Sequence, residues 1–326
     1  MSYTINQESF DSLYSYWVDS SHRLRWDSVF VLPHWSQVWW QELDPGAELY
    51  IRAVRNGEQV IGVAPLLVKD GAAAFIGSPD VCDYLDFVVQ PGMEEAFFTV
   101  LLDDVVASSI DRLDLGPVRA DSTVLNFLVG IARKRGYQVK CHQEDVTLEL
   151  ALPATWEDYL EQLTSKQRHE VRRKLRRLSE MGNIEYHVIQ DVDAVDGMMD
   201  DFLRMFTGSR QDKSIFLTRR MESFFRSMAD TMSRAGLLRL GILELNGRAT
   251  AMVMYFDYQD CRYLYNSGYD ARYGYLSVGL LSKVLCIKNG LEEGMPRFDF
   301  LKGDEPYKSQ LGGKEVPLSR CQIMVK

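Results

Sequence analysis

The chain has 326 residues, 46% of them hydrophobic and 25% charged. That is ordinary globular composition, which excludes disordered, collagen-like and disulfide-scaffold classes, and the length suits one large domain or two modest ones. With 37 basic against 46 acidic residues the net charge is −9, so the molecule as a whole repels nucleic acid and anionic lipid, and any anion site must be local.

The opening residues MSYTINQESF lack the basic and apolar regions of a secretory signal, and no run approaches the roughly 18–20 apolar residues of a membrane span. Five cysteines (Cys82, Cys141, Cys261, Cys286 and Cys321) stand far apart with no Cys-x-x-Cys. That spacing argues against a zinc knuckle or a disulfide framework and suits a reducing compartment. A cytoplasmic protein is expected.

Along the chain, Leu49 to Val54 and Gln59 to Val68 are apolar runs flanking Asn56-Gly57. Both central residues of a type I′ turn need φ > 0, so Asn-Gly between two such runs predicts a hairpin. A strand-like segment, Val81 to Val89, follows, then a helix from Gly92 to Ser108 and a short strand, Leu113-Asp114-Leu115. The same order recurs as a hairpin (Leu238 to Leu245, Asn246-Gly247, Thr250 to Phe256), a strand (Cys261 to Tyr269), a helix (Gly279 to Leu291) and Phe298-Asp299-Phe300. Asn246 lies 246 − 56 = 190 residues after Asn56, and Asp299 lies 299 − 114 = 185 after Asp114. This near-constant offset predicts a duplicated α/β unit with mixed sheets, residues 1–150 and 151–326, with the boundary near Leu152-Pro153.

Between the repeats the pattern is helical. Thr155 and Asp158 resemble a capping box, and Tyr159, Leu160, Leu163, Val171, Leu175 and Leu178 form an apolar stripe ending at Gly182, predicting a basic helix over 156–181. Further helices are expected from about Val195 to Phe206 and from Thr218 to Arg234.

Several constellations could carry chemistry. Lys166, Arg168, Arg172, Arg173, Lys174, Arg176 and Arg177 face one acid, Glu170, within a few turns. They fit either phosphates of a cofactor, nucleotide-linked substrate or RNA, or a solvated helix face. In Tyr273-Gly274-Tyr275-Leu276-Ser277-Val278-Gly279 a strand leads into a helix carrying Lys283 and Lys288. Unpaired N–H groups at such a helix start suit the pyrophosphate of coenzyme A, with Gly279 either admitting it or allowing close packing. The matching place in the first repeat carries Glu94 and Glu95, which repel a pyrophosphate. Phe298 to Lys308 gathers Asp299, Asp304, Glu305, Tyr307 and Lys308 after a core strand, as acid–base groups or as a polar turn beside Pro306. Asp83 and Asp86 lie three apart in an apolar strand and so face opposite ways. Trp35, Trp39 and Trp40 line a pocket or pack in the core.

The histidines show no His-x-x-x-His or His-Glu-x-x-His spacing, and no Gly-x-Ser-x-Gly, Walker A or Gly-x-Gly-x-x-Gly sequence is present. Zinc hydrolases, α/β-hydrolases, P-loop enzymes and Rossmann dehydrogenases are therefore not expected, and no metal is called for.

Leu152-Pro-x-Thr155-Trp156-x-x-Tyr159-Leu160-x-x-Leu163-x-Ser165-Lys166-x-Arg168 with Arg172-Arg173 resembles the opening of the acetyltransferase domain in the CelD-like and FemAB-like branch of the GNAT N-acetyltransferase superfamily. Tyr265 to Asp270, Ser277-Val278-Gly279, Phe298 to Lys308 and, nearer the N-terminus, Asp83 to Asp86 are similar to further blocks of it. The resemblance implies two tandem GNAT-like halves and acyl transfer from acetyl-CoA or another acyl-CoA to an amine. In FemAB-type relatives it implies aminoacyl transfer from charged tRNA to an envelope precursor. The expected donor site is Tyr275, Ser277, Val278, Gly279 and Lys283, and Asp83, Asp299, Tyr307 and Lys308 are the expected catalytic residues beside an acceptor amine in the groove between halves. A non-catalytic protein that binds a polysaccharide or precursor is a third reading.

Overall fold

A computed structural model describes residues 3–325. Internal contacts divide the chain into two units, one formed by residues up to Val146 with those from Val316 onward, the other by Thr147–Glu315. The first runs β1 (Tyr3–Gln7), α1 (Phe10–Val18), α2 (Pro33–Leu43), β2 (Glu48–Asn56), β3 (Gln59–Lys69), β4 (Ala72–Phe75), β5 (Val88–Val89), α3 (Glu94–Ala107), β6 (Arg112–Arg119) and α4 (Val129–Lys134). β7 (Gln138–Ala151) leads into the second, which continues α5 (Trp156–Gln162), α6 (Ser165–Ser179), β8 (Ile184–Ile189), α7 (Val192–Ser209), α8 (Gln211–Phe216), α9 (Arg219–Arg234), β9 (Leu238–Leu245), β10 (Arg248–Tyr258), β11 (Cys261–Tyr269), α10 (Val278–Glu292), β12 (Arg297–Lys302) and α11 (Pro306–Gln310). The last strand, β13 (Lys314–Met324), returns the chain to the first unit.

In the first unit the strand order is β1-β2-β3-β4-β6-β13, with β5 also on β3. The β2–β3 hairpin forms as expected, but its two turn residues are Gly57 and Glu58: Asn56 closes β2 opposite Gln59, and only Gly57, at φ +61°, is left-handed there. β4 lies parallel to β6, so the chain between them, which includes α3, forms a crossover. Trp35 and Trp39 are buried in the core. The third strand of this repeat is β4, not the expected Val81 to Val89, of which only Val88–Val89 pairs. The Asp86 carboxylate explains the difference. It accepts from the N–H groups of Phe87 (2.9 Å) and Thr123 (2.7 Å) and from the Thr123 hydroxyl (2.6 Å), and such local bonds compete with a ladder. Burial holds this carboxyl up at about 6 despite those bonds.

The cysteine spacing, read as arguing against a disulfide framework and suiting a reducing compartment, conceals one bridge. Cys141 on β7 and Cys321 on β13 form a disulfide, 180 residues apart in sequence, while Cys82, Cys261 and Cys286 are free and buried. A bridge spanning that separation leaves no spacing signal.

The second unit has strand order β7-β12-β11-β10-β9-β8. Its hairpin, β9–β10, turns at Asn246-Gly247, β11 lies antiparallel to β10, and β11 lies parallel to β12 across the α10 crossover. The plan of the first unit is thus repeated. α7 lies directly on β11, where a side chain at Gly268 would come within 2.3 Å of the Phe206 nitrogen. The basic stretch forms two helices instead of one over 156–181. Leu163 is extended, and Thr164 and Gln167 form a full capping box that starts α6 anew. Among the described residues no helix is long and apolar enough to cross a membrane.

Candidate active site

The site is built within the second unit around the start of α10. β11 ends at Tyr269, Asp270 caps a short 3-10 turn over Ala271–Leu276, and Ser277 then adopts φ 60°, ψ 30°. That left-handed residue redirects the chain into α10 and does not cap the helix with its side chain. Its hydroxyl accepts instead from Lys174 Nζ on α6 at 2.9 Å. The Ser277 carbonyl takes the N–H groups of Leu280 and Leu281, each at 3.0 Å. Val278 is buried and Tyr275 is 57% exposed. A side chain at Gly279 would come within 2.7 Å of the Tyr269 ring, so the space this glycine leaves is filled by an aromatic ring of the chain itself.

The far half of α10 is fixed by Arg262 on β11, whose side chain is fully buried. Its guanidinium donates to both oxygens of Asp257 (2.8 and 2.9 Å), to Glu293 (2.5 Å), to Asn289 (2.8 Å) and to the Cys286 carbonyl (3.0 Å). It also lies over the Tyr255 ring at 4.3 Å. Two anchors on α10 and one at its C-cap, Glu293, from one cation hold that helix against the sheet.

β12 and α11 bring the other expected residues. Asp299 is buried, and its Oδ1 accepts from the Thr147 hydroxyl at 2.8 Å and from the Leu301 N–H at 2.7 Å. Leu301 has φ 63° and the β12–β7 register shifts between Asp299 and Lys302, so this carboxylate braces a bulge in which a non-glycine residue is left-handed. Lys308, 2% exposed, donates to the carbonyls of Leu301 (2.9 Å), Lys302 (2.6 Å) and Gly303 (3.1 Å) and lies 2.8 Å from Glu305 Oε2. An ammonium has three N–H donors, so Lys308 is fully engaged in holding the 301–303 loop. Burial opposes the charge on Glu305, but the Lys308 ammonium outweighs it and holds that carboxyl below its ordinary range.

Tyr307, half-buried, lies under Lys283, whose Nζ is 5.0 Å from the ring centroid. Lys283 donates to the Gly279 carbonyl at 2.7 Å. Nearby is Lys213 on α8, which donates to the Ser267 carbonyl at 2.5 Å and lies 4.6 Å from the Phe206 ring centroid. Burial, reinforced by the charge of Lys213, pushes Lys283 down to about 7. Burial, reinforced by Arg210, pushes Lys213 down to about 8. Neither Arg210 nor Lys213 was marked by the sequence pattern, because residues 207–217 carry no motif and lie between two predicted helices.

The structure therefore brings Tyr275, Ser277, Val278, Gly279, Lys283, Asp299, Tyr307 and Lys308 into one unit and adds Lys174 and Lys213. Asp83 belongs to the first unit, half-buried in the irregular segment before β5. Among the described residues no group of three or more metal-ligating side chains occurs.

Residues 165–309 match the family model of the acetyltransferase (GNAT) domain. The chain's fold, two tandem GNAT-like halves, is shared with known structures along nearly the whole chain. FemX superposes with a TM-score of 0.65 at 14% identity, covering 98% of this chain and 96% of that one. The tandem GNAT protein from the clavulanic acid biosynthesis pathway gives 0.51 at 12% identity, covering 98% of each. L-PGS from Bacillus licheniformis gives 0.55 at 10% identity, covering 89% of this chain and 91% of that one. No curated protein matches the chain in sequence.

Proposed function

We propose that the protein is an acyl-CoA-dependent N-acyltransferase whose donor binds at the start of α10. The observation that carries this reading is the helix entry itself. The N–H groups of Val278 and Gly279 belong to a first turn that has no intrahelical acceptors, at the positive end of the dipole. Ser277 leaves that turn without a side-chain cap and holds Lys174 beside it. A pyrophosphate fits this set of donors, reached along the helix axis and not through the space above Gly279. Tyr275 is exposed enough to cover an adenine or pantetheine arm.

In the reaction a neutral amine attacks the thioester carbonyl, the C–N bond forms as the C–S bond breaks, and the thiolate takes up a proton. Tyr307 is the residue assigned to proton transfer at the leaving group. Asp299 and Lys308 act as positioning residues, keeping the bulge and loop before Tyr307 in place. The acceptor is a small amine or an amine-bearing envelope precursor, and the chemistry proceeds without a metal.

A second reading uses aminoacyl-tRNA as donor. It is favoured by α6, which exposes Lys166, Arg172, Arg173, Arg176 and Arg177, a charge density suited to a phosphate backbone. Release of free thiol from acetyl-CoA in the presence of a panel of amines tests the first reading. Thiol release with at least one amine supports it. Absence of release with every amine, together with salt-sensitive tRNA binding, favours the second.

A further inference from the structure

Four cations, Arg210, Lys213, Lys283 and Lys308, lie within electrostatic reach of Glu305, and among the described residues only two are matched by carboxylates at close range. Arg210 is paired with Asp212 through two bonds of 3.0 and 2.8 Å, and Lys308 is paired with Glu305 at 2.8 Å. Among the described residues Lys213 and Lys283 have no carboxylate partner within 4.0 Å, and each makes one hydrogen bond, to a backbone carbonyl. An ammonium carries three N–H donors, so each lysine has two unspent. Lys283 is 9% exposed and Lys213 is half-buried over Phe206. In such a place a lysine either gives up its proton or takes an anion that satisfies these donors.

The geometry points to an oxyanion subsite formed by Lys213 and Lys283, which takes a carboxylate or phosphate group carried by the acceptor amine. This deepens the acyltransferase reading and rests on it: the substrate class becomes an anionic amine, held by its acid group while its amine reaches the thioester. Both lysines are already pushed toward neutrality by burial and by neighbouring positive charge. A bound oxyanion reverses that bias, so occupancy draws protons onto the pair. The groups facing the pair are Arg210 and Asp212 beside Lys213, Cys286 on α10 itself, and Glu305, Tyr307 and Lys308 around α11.

The test is isothermal titration with inorganic phosphate and with acetate as probes, in two buffers of different ionisation enthalpy, with CoA absent and then saturating. The inference expects one probe to bind with proton uptake near pH 8, unaffected by CoA, and to weaken by at least about tenfold in Lys213→Met and in Lys283→Met. Preference for phosphate or acetate identifies the acid group of the acceptor. Both variants replace a buried cation with an apolar chain of similar length, and an unchanged near-ultraviolet spectrum verifies their folding. No binding of either probe, or binding unchanged in both variants, overturns the subsite. Displacement of the probe by CoA assigns the lysines to the donor and overturns the acceptor assignment. Lysine-dependent probe binding in a protein that does not bind CoA upholds the subsite and refutes the donor reading instead.

Discussion

Lys174 Nζ donates to Ser277 Oγ at 2.9 Å and lies 3.6 Å from Glu170 on its own helix. One member of the basic run on α6 is thus tied to the residue that opens α10, while its neighbours Arg172, Arg173, Arg176 and Arg177 face solvent. The charge anomaly of the sequence therefore divides into a single cation at the proposed donor site and an exposed face. Replacing Lys174 with Ala is expected to weaken CoA binding by about tenfold, whereas Arg176→Ala, one of the solvent-facing changes, leaves it within about twofold. Titration calorimetry on the two variants distinguishes them, and equal losses would contradict the division.

Arg262 in the second unit is fully buried and ion-paired with both Asp257 and Glu293. Arg262→Met strands Asp257 and Glu293 without their cation, and the loss expected for breaking such a buried network is about 3–5 kcal/mol. Urea unfolding monitored by fluorescence reads it as a lowered midpoint. A midpoint within error of the parent would show that the network carries little of the fold.

Stability should rise with pH above neutrality. Lys283 is pushed from its ordinary 10.5 to about 7, so between those values the unfolded chain binds a proton that the folded chain does not. The contribution is fully present above the unfolded value and is lost as pH falls through about 7. Tm measured from about pH 7 to about pH 9 is expected to climb, and Lys283→Met to flatten the climb. A parent curve that falls over this range, with the variant falling in parallel, would contradict the assignment.

The disulfide makes a simple count testable. Denatured but unreduced protein is expected to titrate three thiols, those of Cys82, Cys261 and Cys286, and reduced protein all five. Five thiols before reduction would remove the Cys141–Cys321 bridge from the account.

Much of this architecture is legible in local chemistry. Asn246-Gly247 marks its hairpin because few residue pairs accept two positive φ values, and in the first hairpin Gly57 alone supplies the left-handed residue; the crossover helices follow their apolar patterns. The failures have equally local causes. Ala72 to Phe75 is a strand made almost wholly of alanine, which has little strand preference, so the apolar Val81 to Val89 run outcompetes it in a reading by pattern. The break at Leu163 was encoded in Thr164-x-x-Gln167, a capping box hidden inside a longer apolar stripe. At the site, residue type alone does not separate Lys308, whose donors are spent on loop carbonyls and Glu305, from Lys213 and Lys283, which each donate to a single carbonyl. That distinction depends on where the loop carbonyls of Leu301, Lys302 and Gly303 point, and only the folded chain sets it.

The central claim, that the start of α10 receives the donor's pyrophosphate, is tested most directly by titrating CoA into the parent protein and Ser277→Asp. Aspartate tolerates the left-handed conformation of residue 277, pairs with Lys174 and is a favourable helix cap, so the fold is kept while a carboxylate occupies the anion's place. Gly279→Glu is a poorer choice because it also displaces Tyr269. The account predicts that the parent binds CoA and that Ser277→Asp, with unchanged or raised Tm, does not. CoA binding of equal strength in both proteins would contradict it.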